Sequence, residues 1–248
     1  MSPGAIYGRD AELEQLRQLV SRRRSLLLHG PAGVGKTLLM KQLAGEVPEM
    51  IYCDESSSSQ SVFRKLAAGL FVRSNRHLLQ VCGTRGVNAI KDKSAVALRG
   101  IVADALRGAS YWIVLDHLQS SSQSFAASLK DVCNGTATPL IAGARSAHME
   151  DVGFLLPMFS DRSEKYALRN FDSDTAREFA VRTAQEMQLN AANRDEAIQK
   201  IVHYSKGSPG AIIAMLKMAA SPKYVTEQHV KLSPLYIDFR LRWGASHG

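Results

Sequence analysis

The chain has 248 residues, 45% hydrophobic and 22% charged, and its lysines and arginines exceed its acids by 31 − 23 = +8. That length suits one large domain, or a domain with a smaller companion, and the longest apolar runs, "SLLLHG" and "AIIAMLKMAA", are far too short to cross a bilayer. The opening "MSPGAIYGRDAELEQL" lacks a basic-then-apolar signal, and the widely spaced Cys53, Cys82 and Cys133 form neither a disulfide framework nor a zinc spacing, so a reducing cytoplasm and no membrane partner are expected.

In chain order, "IYGRDAELEQL" reads as a turn leading into an amphipathic helix, followed by the basic cluster "SRRRS". Residues 25–29 form a short apolar strand, 30–37 match G-x-x-x-x-G-K-T, and 38–43 continue with helical periodicity. Strand, glycine loop and helix in that order are the context of a phosphate-binding P-loop. Gly30, Gly33 and Gly35 allow backbone N–H groups to close around phosphate oxygens, and the next helix contributes its positive N-terminal dipole. Lys36 is expected to bridge the β- and γ-phosphates of ATP, and Thr37 to ligate Mg²⁺. The remaining loop positions, Pro31, Ala32, Val34 and Leu38, complete the predicted cofactor contacts.

A second strand, a serine-rich turn and a helix follow in "MIYCDESSSSQSVFRKLAAGL". From 61 to 110 there are nine lysines and arginines against two acids. That excess suits the phosphate backbone of DNA or an anionic lipid, or else is simply a solvated basic face. "YWIVLDH" has the continuous apolar run of a parallel strand covered on both faces, and Asp116 at its end is predicted to hold Mg²⁺ beside Thr37. "TPLIAGARSAH" is another buried strand, ending at Arg145. "FDSDTAREF" carries a helix start with Asp172 or Ser173 as N-cap. In "KGSPG", Pro209 can open the next helix because a first-turn N–H needs no partner, and it is counted among the expected cofactor contacts. "LSPLYIDFRLRW" implies either lid packing or a partner contact.

These motifs resemble the AAA+ and STAND branch of P-loop NTPases along almost the whole chain. The resemblance implies an α/β fold, with a central parallel β-sheet flanked by helices in 1–168 and a small α-helical lid domain in 169–248. It places Ile6, Tyr7 and Gly8 of "IYGRD" near adenine, makes Arg145 a sensor 1 residue near the γ-phosphate, and puts Arg162 where many AAA+ proteins carry an arginine finger. "SDRSEK" around Arg162 reads equally as an exposed charged loop. "GSPG" is similar to the Gly-x-Pro element of the STAND lid, but Gly210 stands where many AAA+ lids have the sensor 2 arginine. The last residues are too few for the winged-helix module that follows many STAND cores.

The residue after Asp116 is His117, where efficient ATPases of this group carry a glutamate that prepares water. His117 can orient water or accept a proton through a neutral nitrogen, with different reach; Asp54 and Glu55, closing the neighbouring strand, are further candidates. The expectation is a slow ATPase and nucleotide-dependent switch that self-associates and acts on DNA, or on a protein partner in a signalling role. A small-molecule kinase is the weaker third reading. No Asn/Thr-Lys-x-Asp guanine-reading motif occurs, which favours ATP.

Overall fold

The computed structural model describes residues 7–56 and 58–247, so the expectation for Ile6 lies outside the described residues. Contacts divide the chain into two compact units. The first contains Ala11–Gly30 and Lys36–Ala167; the second contains residues 7–10, Pro31–Gly35 and 168–247, so two short pieces of the amino-terminal stretch cluster with the carboxy-terminal helices.

The first unit begins with α1 (Asp10–Ser21), β1 (Leu26–His29), α2 (Lys36–Glu46) and β2 (Met50–Cys53). Three helices follow, α3 (Ser59–Val72), α4 (Arg76–Cys82) and α5 (Ala95–Leu106), with a 3₁₀ segment at Gly83–Ile90 between the last two. Then come β3 (Trp112–Leu115), α6 (Gln123–Thr136), β4 (Leu140–Ala144), the short α7 (Met149–Val152) and β5 (Lys165–Ala167). The five strands form one parallel sheet in the order β2-β3-β4-β1-β5. Every residue of β3 and β4 is buried, as strands covered by helices on both faces require.

Local chemistry sets where the helices start. Ser58, Asn75, Ser94 and Ser122 each accept a backbone N–H from the first turn of α3, α4, α5 and α6 respectively, so a short polar residue in the preceding loop caps each helix. Phe63, Leu66 and Leu70 of α3 are fully buried against Ile51 and Leu115. Each such side chain contributes roughly 1.5–3 kcal/mol. All three cysteines are buried and unpaired, and burial pushes the thiols of Cys53 and Cys133 up to about 12, which makes them packing residues.

The helices between β2 and β3 carry the basic segment 61–110. Arg73 is consumed internally, donating to the carbonyls of Pro48, Gly69 and Met50 at 2.6, 3.1 and 2.5 Å. Lys65, Arg99 and Arg107 pair with Asp54, Asp131 and Asp104. Arg76, Arg85 and Lys91 are exposed and, with Lys93, form no ion pair among the described residues.

The second unit packs α8 (Ser173–Glu186), α9 (Arg194–Ser205), α10 (Pro209–Ala219), a hairpin of β6 (Val225–Thr226) and β7 (His229–Val230), and α11 (Leu232–His247). Asp172 is the N-cap of α8, and Ser208 caps α10 with Pro209 in its first turn. Leu235 and Phe239 of α11 are buried in this helical core and Tyr236 stacks on Tyr204 with centroids 4.0 Å apart, while Ile237 and Leu241 remain exposed. Among the described side chains the tail therefore packs on the helical unit through Leu235 and Phe239, with Ile237 and Leu241 on its exposed side.

No helix among the described residues is long and apolar enough to cross a membrane.

Candidate functional site

The three central strands end side by side at the carboxy-terminal end of the sheet. β1 leads into Gly30, β3 into Asp116 and β4 into Arg145, with Leu28 opposite Gly143 and Leu115 opposite Ala142 in register. Neighbouring parallel strands lie about 4.8 Å apart, so the three loops share one small region. Lys36, the first residue of α2, turns its Nζ back onto the Gly30 carbonyl at 2.6 Å. Burial lowers its pKa, the nearby Asp116 carboxylate opposes that shift, and the Arg145 guanidinium adds to it. The Lys36 ammonium therefore lies within the fields of both Asp116 and Arg145. Thr37 is half-buried in the first turn of the same helix and Leu38 is exposed.

Asp116 is only 1% exposed and both carboxylate oxygens are engaged. Oδ1 accepts the His117 backbone N–H at 2.8 Å, and Oδ2 accepts the Tyr52 hydroxyl at 2.6 Å. Gly143 makes room for this arrangement: a Cβ there would lie 3.1 Å from Asp116 Oδ1 and 2.5 Å from Met40 Cε. Tyr52 on β2 is a site residue that the sequence reading did not single out. The signal was a hydroxyl-bearing aromatic inside the short strand "MIYC", where a partly buried O–H needs a partner.

His117 has a left-handed backbone, φ 54°, fixed from both sides: its N–H is held by Asp116 and its carbonyl accepts the Ser56 hydroxyl at 3.1 Å. Its side chain is 62% exposed, with Nε2 3.6 Å from Asp116 Oδ2. Histidine adopts that conformation more readily than most side chains but still at some cost, and such positions gather at functional sites. Asp54 and Glu55 are exposed and pair with Lys65 of α3.

The loop Pro31–Gly35 is held by residues of the second unit. Arg9, 4% exposed, donates from Nη2 to the Val34 carbonyl at 3.1 Å and the Arg169 carbonyl at 2.7 Å, and its guanidinium stacks 4.3 Å over Phe171. The Gly210 N–H donates to the Gly33 carbonyl at 2.9 Å. A Cβ on Gly210 would come within 2.8 Å of Gly33 Cα, so no side chain, arginine included, fits the position where the resemblance expects sensor 2. Trp243 of α11 closes the other side of Gly33, whose φ is 76° and whose Cβ position lies 3.0 Å from the indole. Pro31 is exposed, Ala32 half-buried, Val34 buried, and Pro209 buried immediately before Gly210. Tyr7 is bound to α8: its hydroxyl donates to Glu178 at 2.9 Å, which raises its pKa, and Arg182 lies 5.2 Å over its ring. Gly8, at φ 68°, lies against Thr175 and Phe171.

Arg162 is exposed in a 3₁₀ turn just before β5. Since Lys165 pairs with Leu27 and Ala167 with His29, Arg162 lies at the N-terminal end of the sheet, opposite the end that carries Asp116 and Arg145.

Among the described residues no group of three or more His, Cys, Asp or Glu is gathered as a self-sufficient metal site. One buried carboxylate and one helix-terminal hydroxyl are nevertheless hard oxygen donors, which suit Mg²⁺ when phosphate and water complete its shell. Thr37 and Asp116 would hold it, and the ion would neutralise phosphate charge.

The AAA ATPase domain family matches residues 5–141, more than half of the chain. The chain belongs to the AAA ATPase family. This AAA ATPase also shares its fold with solved structures. The ORC1 protein of Aeropyrum pernix, in complex with DNA, is 15% identical with TM-score 0.67, over 96% of this chain and 66% of that one. Cdc6p from Pyrobaculum aerophilum is 13% identical with TM-score 0.60, over 89% and 63%. A Walker-type ATPase of Pyrococcus abyssi is 18% identical with TM-score 0.57, over 85% and 67%. These likenesses show the fold alone, and the chain spans about two thirds of each of these proteins. No curated protein matches it in sequence.

Proposed function

We propose that this AAA ATPase is a slow, nucleotide-dependent switch that self-associates when ATP–Mg²⁺ is bound and acts on DNA, with residues 1–168 as the nucleotide-binding domain and 169–248 as the helical lid domain. The observation that carries this reading is the pairing of an intact phosphate and metal set, Lys36 and Asp116, with His117 in the place of a water-preparing carboxylate. Binding needs the first set; efficient hydrolysis also needs an oriented water and cations for the developing charge. Arg145 is the nearby cation in this proposal, and Arg162, far from its own site, acts on a neighbouring subunit.

DNA is favoured as client by the unpaired cations Arg76, Arg85, Lys91 and Lys93 and by the fold shared with an ORC1 protein solved in complex with DNA. The signalling alternative, with a protein partner and little or no hydrolysis, draws support from the STAND-like Gly-x-Pro helix start and from Gly210.

Particle size without nucleotide, with ADP and with a non-hydrolysable ATP analogue tests the switch; a single size in all three conditions defeats its assembly part. Duplex DNA binding with ATP present must weaken steeply as salt rises, because counterion release drives it. Salt-indifferent binding, or none, turns the reading toward the protein partner.

A further inference from the structure

We infer that Arg9 is a positioning residue for the phosphate loop, acting together with the Gly210 amide as a two-point brace; this rests on the reading of that loop as the nucleotide site. The geometry of the trans peptide supplies the argument. The carbonyl of one residue and the N–H of the next belong to the same planar unit and point in opposite directions. Holding a carbonyl from behind therefore aims the following N–H forward.

The brace grips two consecutive carbonyls of the loop. Gly210 N–H holds that of Gly33 at 2.9 Å, and Arg9 Nη2 holds that of Val34 at 3.1 Å. The first grip sets the peptide that carries the Val34 N–H, which closes the turn onto the Pro31 carbonyl at 3.4 Å. The second sets the peptide that carries the Gly35 N–H, away from Arg9 and next to Lys36. A loop that receives phosphate oxygens on its N–H groups works best when those groups are already oriented, because the ordering cost is then met during folding and not during binding.

Arg9 is itself fixed. The same Nη2 reaches the Arg169 carbonyl at 2.7 Å, and Phe171 lies 4.3 Å beneath the guanidinium. One nitrogen serves both carbonyls, as an ammonium also could; what the guanidinium adds is a flat face that stacks on Phe171 and holds that nitrogen in place. The positive charge, buried behind the loop, adds to the potential that draws an anion. At Gly210 the backbone comes so close that only glycine is accommodated. The absent side chain is thus the condition for the second grip.

Titration calorimetry with ATP–Mg²⁺ and, separately, with tripolyphosphate tests the brace in the wild type, Arg9→Lys, Arg9→Met and Gly210→Ala. Each variant is expected to weaken both ligands by the same factor, about tenfold or more: the Arg9 variants lose or misplace a charge-assisted bond to the loop, and a Cβ at Gly210 pushes its amide away from Gly33. Equal loss for a ligand without base or ribose places the defect at the phosphate loop and not at the contacts to the nucleoside, and unchanged urea midpoints for the folded variants exclude a general loosening of the unit that contains the loop. Folded Arg9 variants with wild-type tripolyphosphate affinity overturn the proposal, as does a loss confined to ATP. Should the Arg9 variants fail to fold, Gly210→Ala decides on the same two readings. A wild type that binds neither ligand overturns the nucleotide reading and the brace with it, whereas a wild type that binds both while its variants match it overturns the brace alone.

Discussion

The Tyr52 hydroxyl donates to Asp116 Oδ2 at 2.6 Å, joining β2 and β3 at the end of the sheet where the P-loop begins. The carboxylate it holds is almost wholly buried, so removing the donor leaves a charged acceptor short of a partner. Tyr52→Phe is expected to lower unfolding free energy by about 1–3 kcal/mol in urea denaturation. It is also expected to raise the Mg²⁺ concentration needed for ATP binding, since Asp116 loses its fixed orientation.

The same bond predicts a pH dependence. Burial first, and then the bond to Asp116, raise the Tyr52 pKa above its ordinary 10.0. A folded-state pKa above the unfolded one gives stability that is fully present below about 10 and is lost as pH rises beyond it. The stability difference between wild type and Tyr52→Phe is therefore expected to shrink above pH 10, as followed by urea midpoints from pH 8 to 11. A difference that grows over that range contradicts the assignment.

Gly143 stands where a side chain would push into Asp116 Oδ1 and Met40. Methionine can move, but the doubly bonded carboxylate cannot follow without losing a partner. Gly143→Ala is expected to cost about 1–3 kcal/mol of stability, as overpacking does. Chemical denaturation checks the cost, and pairing with Met40→Ala should recover only part of it.

Arg162 lies at the sheet end opposite Asp116, so any role in turnover requires a second subunit. Arg162→Ala should leave ATP affinity unchanged and reduce turnover. Mixing it with Lys36→Ala should restore part of the activity, because the Lys36→Ala subunit offers its arginine to an intact site. No recovery on mixing removes Arg162 from the account.

Charge reversal at Arg85 and Lys91, both exposed and without an ion pair, should weaken DNA binding across sequences. Neutralising each one should lower the slope of log affinity against log salt by about one. Arg73 serves as the control: its guanidinium is used inside the fold, so its replacement should destabilise the protein more than it alters the salt slope.

Motifs read by local chemistry were legible in the sequence. The apolar run before Asp116, the glycine loop before Lys36 and the proline that opens α10 each declare their element through a few neighbouring residues. The contacts that shape the site were not legible, because they join distant parts of the chain: Tyr52 to Asp116, Arg9 to Val34 and Arg169, Gly210 to Gly33. Gly210 was visible only as a missing arginine, and the close backbone approach supplies its reason. The β6–β7 hairpin escaped notice for another cause. Its turn residues Glu227 and Gln228 both have positive φ, where Asn-Gly would have been the readable signal. Likewise α4 and the 3₁₀ segment after it lie in "RHLLQVCGTRGVNAI", too short and too broken by glycine to show a period.

The central claim is that Lys36 and Asp116 form a working nucleotide site that His117 keeps slow. Phosphate release from ATP–Mg²⁺ by wild type, Lys36→Ala and His117→Glu, with ATP binding measured alongside, tests it most directly. The account predicts that wild type binds ATP and turns over slowly, that Lys36→Ala loses both, and that His117→Glu raises turnover about tenfold or more, within the range that a positioned base contributes. Fast wild-type turnover that His117→Glu leaves unchanged or abolishes would contradict it.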